Sequence, residues 1–287
     1  ELKKRVDQII AQKELSIGPE NKIIWKNSPI GKIKKGDSYL TPVIEVIADD
    51  ALQENTRSDL EVFLNKWLSD HIDEVLNDLI GLTKLKIENQ YLRALSFQLY
   101  ENNGIIKRKE INPIIKLIDK EERKKLWSMG IKIGRYHIYL PKMLKPKAVV
   151  LRTNLWKLYN NILPNTQIPT FGLNFVLNEN FDTKFLLICG FEKFKNFFIR
   201  VDILEKLFIS IIEKTNDKKF KINSEMINLL GCTKDNFYKL MELMNYKKTN
   251  ENDTYFFAGE TMSAKKKLNT KKTVNNPFKK LLSLNIK

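Results

Sequence analysis

The sequence predicts an α+β protein, predominantly helical: a mixed helix/short-strand body, then a winged-helix-like unit and a basic tail. Three observations carry this. Long stretches keep apolar residues at 3.6-residue spacing. Short β-rich runs between Pro and Gly breaks interrupt them. After residue 258 hydrophobicity collapses and lysines take over. With 287 residues the chain has length for about two domains, and a 43% hydrophobic content is that of a folded protein.

The first 20 residues read as a helix that loosens at "SIGPEN". "KIIWKNSPIGKIKKGDSYLTPVIEVIA" (22–48) breaks at Ser-Pro, Lys-Gly-Asp and Thr-Pro, which makes it two or three short strands. Residues 57–82 form the clearest helix, with Leu60, Leu64, Leu68, Ile72 and Leu76 on its stripe, Ser58 and Glu61 as a capping box and Gly81 as its end. His71 lies beside that stripe and reads as structural. A second helix covers about 87–102. A third covers 119–129, capped by Asp119 with Glu122 and stopped by Gly130.

"IKIGRYHIYLP" (131–141) alternates as one strand, with Tyr136, Ile138 and Leu140 on one side and Arg135, His137 and Tyr139 on the other. A helix follows with Pro146 in its first turn. Residues 162–200 contain turns and at least two β runs, "KFLLICGF" and "NFFIRV".

Residues 201–258 stand apart. Asp202 and Glu205 cap an apolar helix, "SEMINLLG" is a short helix turning at Gly231, Thr233 caps a third helix, and "TYFF" is a wing strand. That order fits a winged helix-turn-helix, or equally another small three-helix packing unit. The expected division is therefore 1–50, an N-terminal helix and short strands; 51–200, a helical core with β segments; 201–258, the winged-helix-like unit; and 259–287, a disordered lysine-rich tail. The tail ends in an apolar docking motif, Phe278, Leu281, Leu282 and Leu284.

Charge narrows the function. The net charge is +16. Residues 107–147 hold 13 Lys/Arg against 4 Asp/Glu, and residues 260–287 hold 8 Lys against 1 Glu, so the rest of the chain is neutral. Such concentration points to a polyanion. The excess of 42 Lys over 8 Arg, by contrast, reflects the codon bias of an AT-rich genome. Phosphate contacts need cations on a preorganised surface, and unpaired bases stack on aromatic faces. The candidate contacts are Arg135, His137, Tyr139, Lys142, Lys145, Lys147 and Arg152, with Lys234, Asn236 and Lys239 on the third helix of the last unit.

The sequence holds no self-contained active site. Gly31-Lys32 lacks the rest of a phosphate loop, and "DEVL" (73–76) ends in Leu76 where a motor box needs another residue. Serine-hydrolase and zinc-protease motifs are missing too. Cys189 and Cys232 match no metal or disulfide spacing and read as buried thiols of a cytoplasmic protein. No apolar run is long enough for a membrane span and no signal peptide opens the chain. The start at Glu1 instead of a methionine implies a natural N-terminus further upstream.

"LRALSFQLYENNGIIKR", "WSMGIKIGRYHIYLPKMLKPKAVVLRTNLWKLYN", "FFIRVDILEKL" and "EMINLLGCTKDNFYKLMELMNYK" resemble successive blocks of one family. It is the C-terminal region of bacterial superfamily II DNA/RNA helicases, relatives of the mitochondrial degradosome RNA helicase. "GIKIGRYHIYLPKMLKP" is the most specific block, and the likeness extends through almost the whole chain. The resemblance implies an ATP-driven enzyme that moves along a strand and separates duplexes. Its ATP- and Mg²⁺-binding motifs would lie in upstream motor domains of the same polypeptide, and none of those residues is present here. The expected function is an accessory region that binds single-stranded RNA or DNA beside that motor. A free-standing winged-helix DNA-binding regulator is the alternative. A third reading is a docking scaffold whose tail recruits a nuclease or ribosome.

Overall fold

The computed structural model describes residues 2–12, 14–47, 53–84, 87–162, 167–169, 174–177 and 182–258. The tail expected over 259–287, with its docking motif, lies outside the described residues. The chain is α+β, and every strand pairing among the described residues is antiparallel.

Helix α1 (Leu2–Gln12) leads into strands β1 (Leu15–Ile17), β2 (Lys22–Trp25), β3 (Ser28–Lys34) and β4 (Val43–Val46), a meander in that order. Lys26 and Asn27 both have positive φ, the two-residue turn that matches strand twist between β2 and β3. Ile23, Trp25, Ile33 and Ile44 face inward. The backbone N–H of Ile44 donates to Asn65 Oδ1 at 2.9 Å, tying β4 to the next helix.

That helix, α2 (Glu54–Val75), starts earlier than the sequence suggested, so Ser58 and Glu61 lie inside it and cap nothing. It also stops earlier. Buried leucines, with Ile72 among them, recur every four residues from Leu60 to Leu76, then every three at Leu79 and Leu82. The apolar face changes period, and the chain bends at Leu76 into α3 (Asn77–Lys84), which runs through Gly81.

α4 (Gln90–Glu101) is capped by Asn89, whose Oδ1 accepts from the N–H groups of Tyr91 and Leu92. Strand β5 (Ile105–Lys107) and helix α5 (Arg108–Leu117) follow, neither of them anticipated. α6 (Lys120–Ser128) has the expected Asp119–Glu122 capping box. The expected single strand at 131–141 is instead a hairpin, β6 (Lys132–Ile133) and β7 (His137–Tyr139), in a sheet of order β5-β7-β6. A 3-10 turn (Pro141–Leu144) leads into α7 (Pro146–Tyr159). One hydrophobic core runs from Val6 to Leu155, so no boundary near residue 50 separates two cores.

β8 (Phe175–Leu177), α8 (Thr183–Ile188), β9 (Phe191–Phe194) and β10 (Phe197–Arg200) come next, with sheet order β8-β10-β9. The run "KFLLICGF", expected as a strand, mostly forms α8 because the Asp182 side chain accepts from the Phe185 N–H at 3.0 Å and caps it. A six-residue apolar run has no period of its own to decide this. The chain ends with α9 (Val201–Glu213), β11 (Lys219–Lys221), α10 (Ser224–Leu230), α11 (Lys234–Leu243), β12 (Tyr246–Lys248) and β13 (Thr254–Phe257), with sheet order β11-β13-β12. Gly231 takes the left-handed conformation between α10 and α11 (φ 67°), which favours glycine. Phe197, Leu204, Leu207, Phe237, Leu240 and Tyr255 build this second core. Among the described residues no helix is long and apolar enough to cross a membrane.

Candidate nucleic-acid interface

The two cores meet at the β6–β7 hairpin. Glu205 projects from α9, and its carboxylate accepts three successive backbone N–H groups, from Arg135 (2.5 Å), Tyr136 (2.8 Å) and His137 (2.8 Å). A side chain at Gly134 would collide with it, since a Cβ there would lie 2.2 Å from Glu205 Cδ. The expected Asp202–Glu205 cap is therefore not formed. Arg200 stands at the N-cap, Asp202 pairs with Arg200 at 2.6 Å, and Glu205 serves the hairpin.

Beside it, His137 Nε2 lies 2.9 Å from Glu192 of β9, which also pairs with Lys107 at 2.5 Å. Burial opposes charge on His137, but hydrogen bonds and charges from Glu192 and Glu205 outweigh it and raise the imidazole pKa. Burial likewise opposes charge on Glu192, yet His137 and Lys107 hold its pKa below the usual value. For Glu205, His137 and the three N–H groups do the same. This interior charge centre fastens one core to the other, with His137 Nδ1 3.6 Å from Glu205 and without a hydrogen bond of its own.

Arg152 is a second interior anchor. Its side chain is 0% exposed. Its guanidinium donates to the carbonyls of Asn103, Met143 (3.0 Å) and Ile188 (2.6 Å), joining the end of α4, the 3-10 turn and α8. Burial lowers its pKa to about 10, so it stays charged at neutral pH.

Three expected contact residues are therefore corrected. Arg152 (0% exposed) lines no cavity beside the hairpin, and His137 (1% exposed) and Tyr139 (4% exposed), although each borders one, are buried and leave almost no surface for a strand. Alternation along 131–141 assigned His137 and Tyr139 to solvent, but β7 is the central strand of its sheet and is covered on both faces. Ile105 and Val201 cluster with Tyr139 on the second face.

Arg135 and Lys145, with other cations of the 107–147 interval, border a two-lobed groove. One lobe, about 640 Å³, lies between the hairpin and α9 and is lined by Arg108, Lys132, Arg135, Lys145, Arg200 and Lys206, with Trp127, Phe208 and Ile209. The other, about 580 Å³, is lined by Lys107, Arg108, Lys109, Lys116, Arg123 and Arg135. The lobes share Arg108 and Arg135, so ten cations face the groove against three carboxylates. Those three are Asp202, Glu192 and Glu205, each already engaged as described above. Trp127 is 72% exposed and presents its indole to the first lobe. The Arg135 guanidinium sits 5.6 Å from the Phe208 ring centroid.

Lys145, exposed, also borders a third cavity of about 850 Å³ along β1 and α7, together with Lys142 and Lys147. Lys142 is paired with Asp78 at 2.8 Å. On α11, Lys234 is tied to Asp253 at 2.9 Å, Asn236 is half-buried and Lys239 is exposed. The three α11 positions are not brought to the groove: none of them lines either lobe.

The sequence identified the charged interval but missed Arg108, Arg123, Trp127, Lys132 and Lys206 as groove residues. Four of the five lie in or near that interval, and their residue types were visible. Lys206 and Phe208 come from a helix whose approach to the hairpin depends on Glu205, which no local pattern reveals. No family model, no curated protein and no solved structure matches the chain.

Proposed function

We propose that this chain binds and guides single-stranded RNA or DNA beside an ATP-driven superfamily II motor on the same polypeptide, the motor supplying the ATP and Mg²⁺ chemistry. The observation that carries the reading is the groove: ten lining cations, two of them (Lys107 and Arg200) paired with Glu192 and Asp202, and an exposed tryptophan, in two lobes that share Arg108 and Arg135. Cations neutralise phosphates without reading sequence, and an aromatic face stacks any base, which is what a strand-guiding surface requires. The tail supports it, since its 8 Lys against 1 Glu over 260–287 would add sequence-independent attraction.

The last unit is read as winged-helix-like. Support comes from its order of helix, strand, two helices about a glycine turn, and hairpin, and from the sheet order β11-β13-β12. As a duplex reader it is less well equipped than the groove. Lys234, at the start of the helix that would enter the major groove, is engaged by Asp253, and acidic Asp235 and Glu242 share that helix.

The test is a fluorescence-anisotropy titration of the chain with single-stranded RNA, single-stranded DNA and duplex at two salt concentrations. The expected result is preference for single strands, with affinity falling steeply as salt rises and no ATP turnover by the chain alone. Tight binding to duplex only would favour the regulator reading. Binding to none of the three would refute the proposal.

A further inference from the structure

The two lobes of the groove differ in chemistry. The lobe beside α9 mixes cations with Trp127, Phe208 and Ile209, whereas the other is dominated by charge, with Lys109, Lys116 and three arginines. Those arginines, Arg108, Arg123 and Arg135, form no ion pair among the described residues. Arg108 is half-buried and donates to the Gly134 carbonyl at 2.7 Å, Arg123 donates to the Ile115 carbonyl at 3.3 Å, and Arg135 lies over Phe208. Each guanidinium is thus positioned through one contact and keeps donors to spare. The carboxylate that lines this lobe, Glu192, is committed to Lys107 and His137, and Glu205 of the other lobe to the hairpin backbone.

Resting on the strand-binding reading above, we infer that this lobe seats a phosphomonoester dianion, the phosphorylated end of the bound strand. An internal phosphodiester carries one negative charge, but a terminal monoester carries about 1.5–2 at neutral pH and offers three acceptor oxygens. Planar guanidinium forks suit those oxygens. Crowding three of them where the one lining carboxylate, Glu192, is already held by Lys107 and His137 is unfavourable in the free protein. Burial and the charges of Arg135 and Arg123 lower the pKa of Arg108, so a dense anion relieves what a single diester charge would relieve less well. The strand then runs from the charged lobe into the lobe where Trp127 presents a stacking face.

The experiment measures affinity of the full chain for one single-stranded sequence carrying a 5′-phosphate, a 3′-phosphate or hydroxyls at both ends. One phosphorylated form is expected to bind about tenfold more tightly than the hydroxyl form, and which one identifies the end. Arg123→Gln should abolish that preference, while Lys206→Gln, in the other lobe, should weaken all three oligonucleotides alike. Equal affinity for all three strands would overturn the end-seat inference and leave strand binding standing. A preference that survives Arg123→Gln would also overturn it, by moving the seat elsewhere. No binding by any strand would overturn both.

Discussion

Two sets of charged residues from the same 50-residue interval meet opposite fates. Arg152, His137 and Lys107 lie inside or at the seam of the cores, every one of them held by carbonyls or carboxylates. Arg108, Arg123 and Arg135 border the groove with no carboxylate partner. Residue type does not separate the sets, and neither does position along the chain. What separates them is how fully the fold engages the charge: Arg152 has three carbonyl acceptors and Lys107 and His137 share a carboxylate, whereas Arg108 and Arg123 have one carbonyl each and Arg135 only an aromatic face, which leaves donors for a ligand.

The largest effect belongs to Arg152. Replacing it with Met leaves the carbonyls of Asn103, Met143 and Ile188 without their donor, and each buried acceptor left unpaired costs about 1–3 kcal/mol. Urea unfolding should show that loss in the midpoint. A change under about 1 kcal/mol would mean water replaces the guanidinium and the site is less closed than described.

Next is the seam. Glu205→Ala strands three N–H groups at the hairpin and should cost about 2–3 kcal/mol. Gly134→Ala should destabilise through the same contact, because its methyl group meets the carboxylate. If Glu205→Ala were as stable as the parent while Gly134→Ala was not, strain in the turn would account for the glycine and the carboxylate would be incidental.

A pH effect follows from the same seam. The folded pKa of His137 lies above its unfolded value of about 6.5, so its contribution is complete below that pH and is lost as pH rises through the folded value. Glu192 and Glu205 are depressed in the fold, so their contributions are complete above the usual carboxylate range and lost as pH falls below it. Between those limits the seam should be strongest. In thermal melts the parent should lose stability from mildly acidic to alkaline pH, and His137→Asn should flatten that limb. An unchanged slope in the variant would place the titration elsewhere.

The sequence made the local features legible. The Asp119–Glu122 cap, the Gly231 turn and the Thr233 cap depend on neighbours within four residues, and all three are present. The same cap pattern misled twice. Ser58 with Glu61 and Asp202 with Glu205 have the right spacing, but the first pair sits inside a helix and the second has a better partner some 70 residues away. Alternation along 131–141 failed for a related reason: period-two patterning assumes one wet face, and β7 has none. The groove was legible only as a charged interval. Its residues are sorted by which elements α9 and α5 bring together, and that information is tertiary.

The most direct test pairs two double variants, read by single-strand affinity and by melting temperature in parallel. Arg135→Gln with Lys206→Gln removes groove charge without touching an interior bond. Lys234→Gln with Lys239→Gln removes charge from α11. The groove variant should bind single strands at least about tenfold more weakly with its melting temperature within a degree or two of the parent, while the α11 variant should bind like the parent. The reverse pattern, strand affinity lost with α11 and kept with the groove, would contradict the assignment of the unpaired groove cations to the nucleic acid.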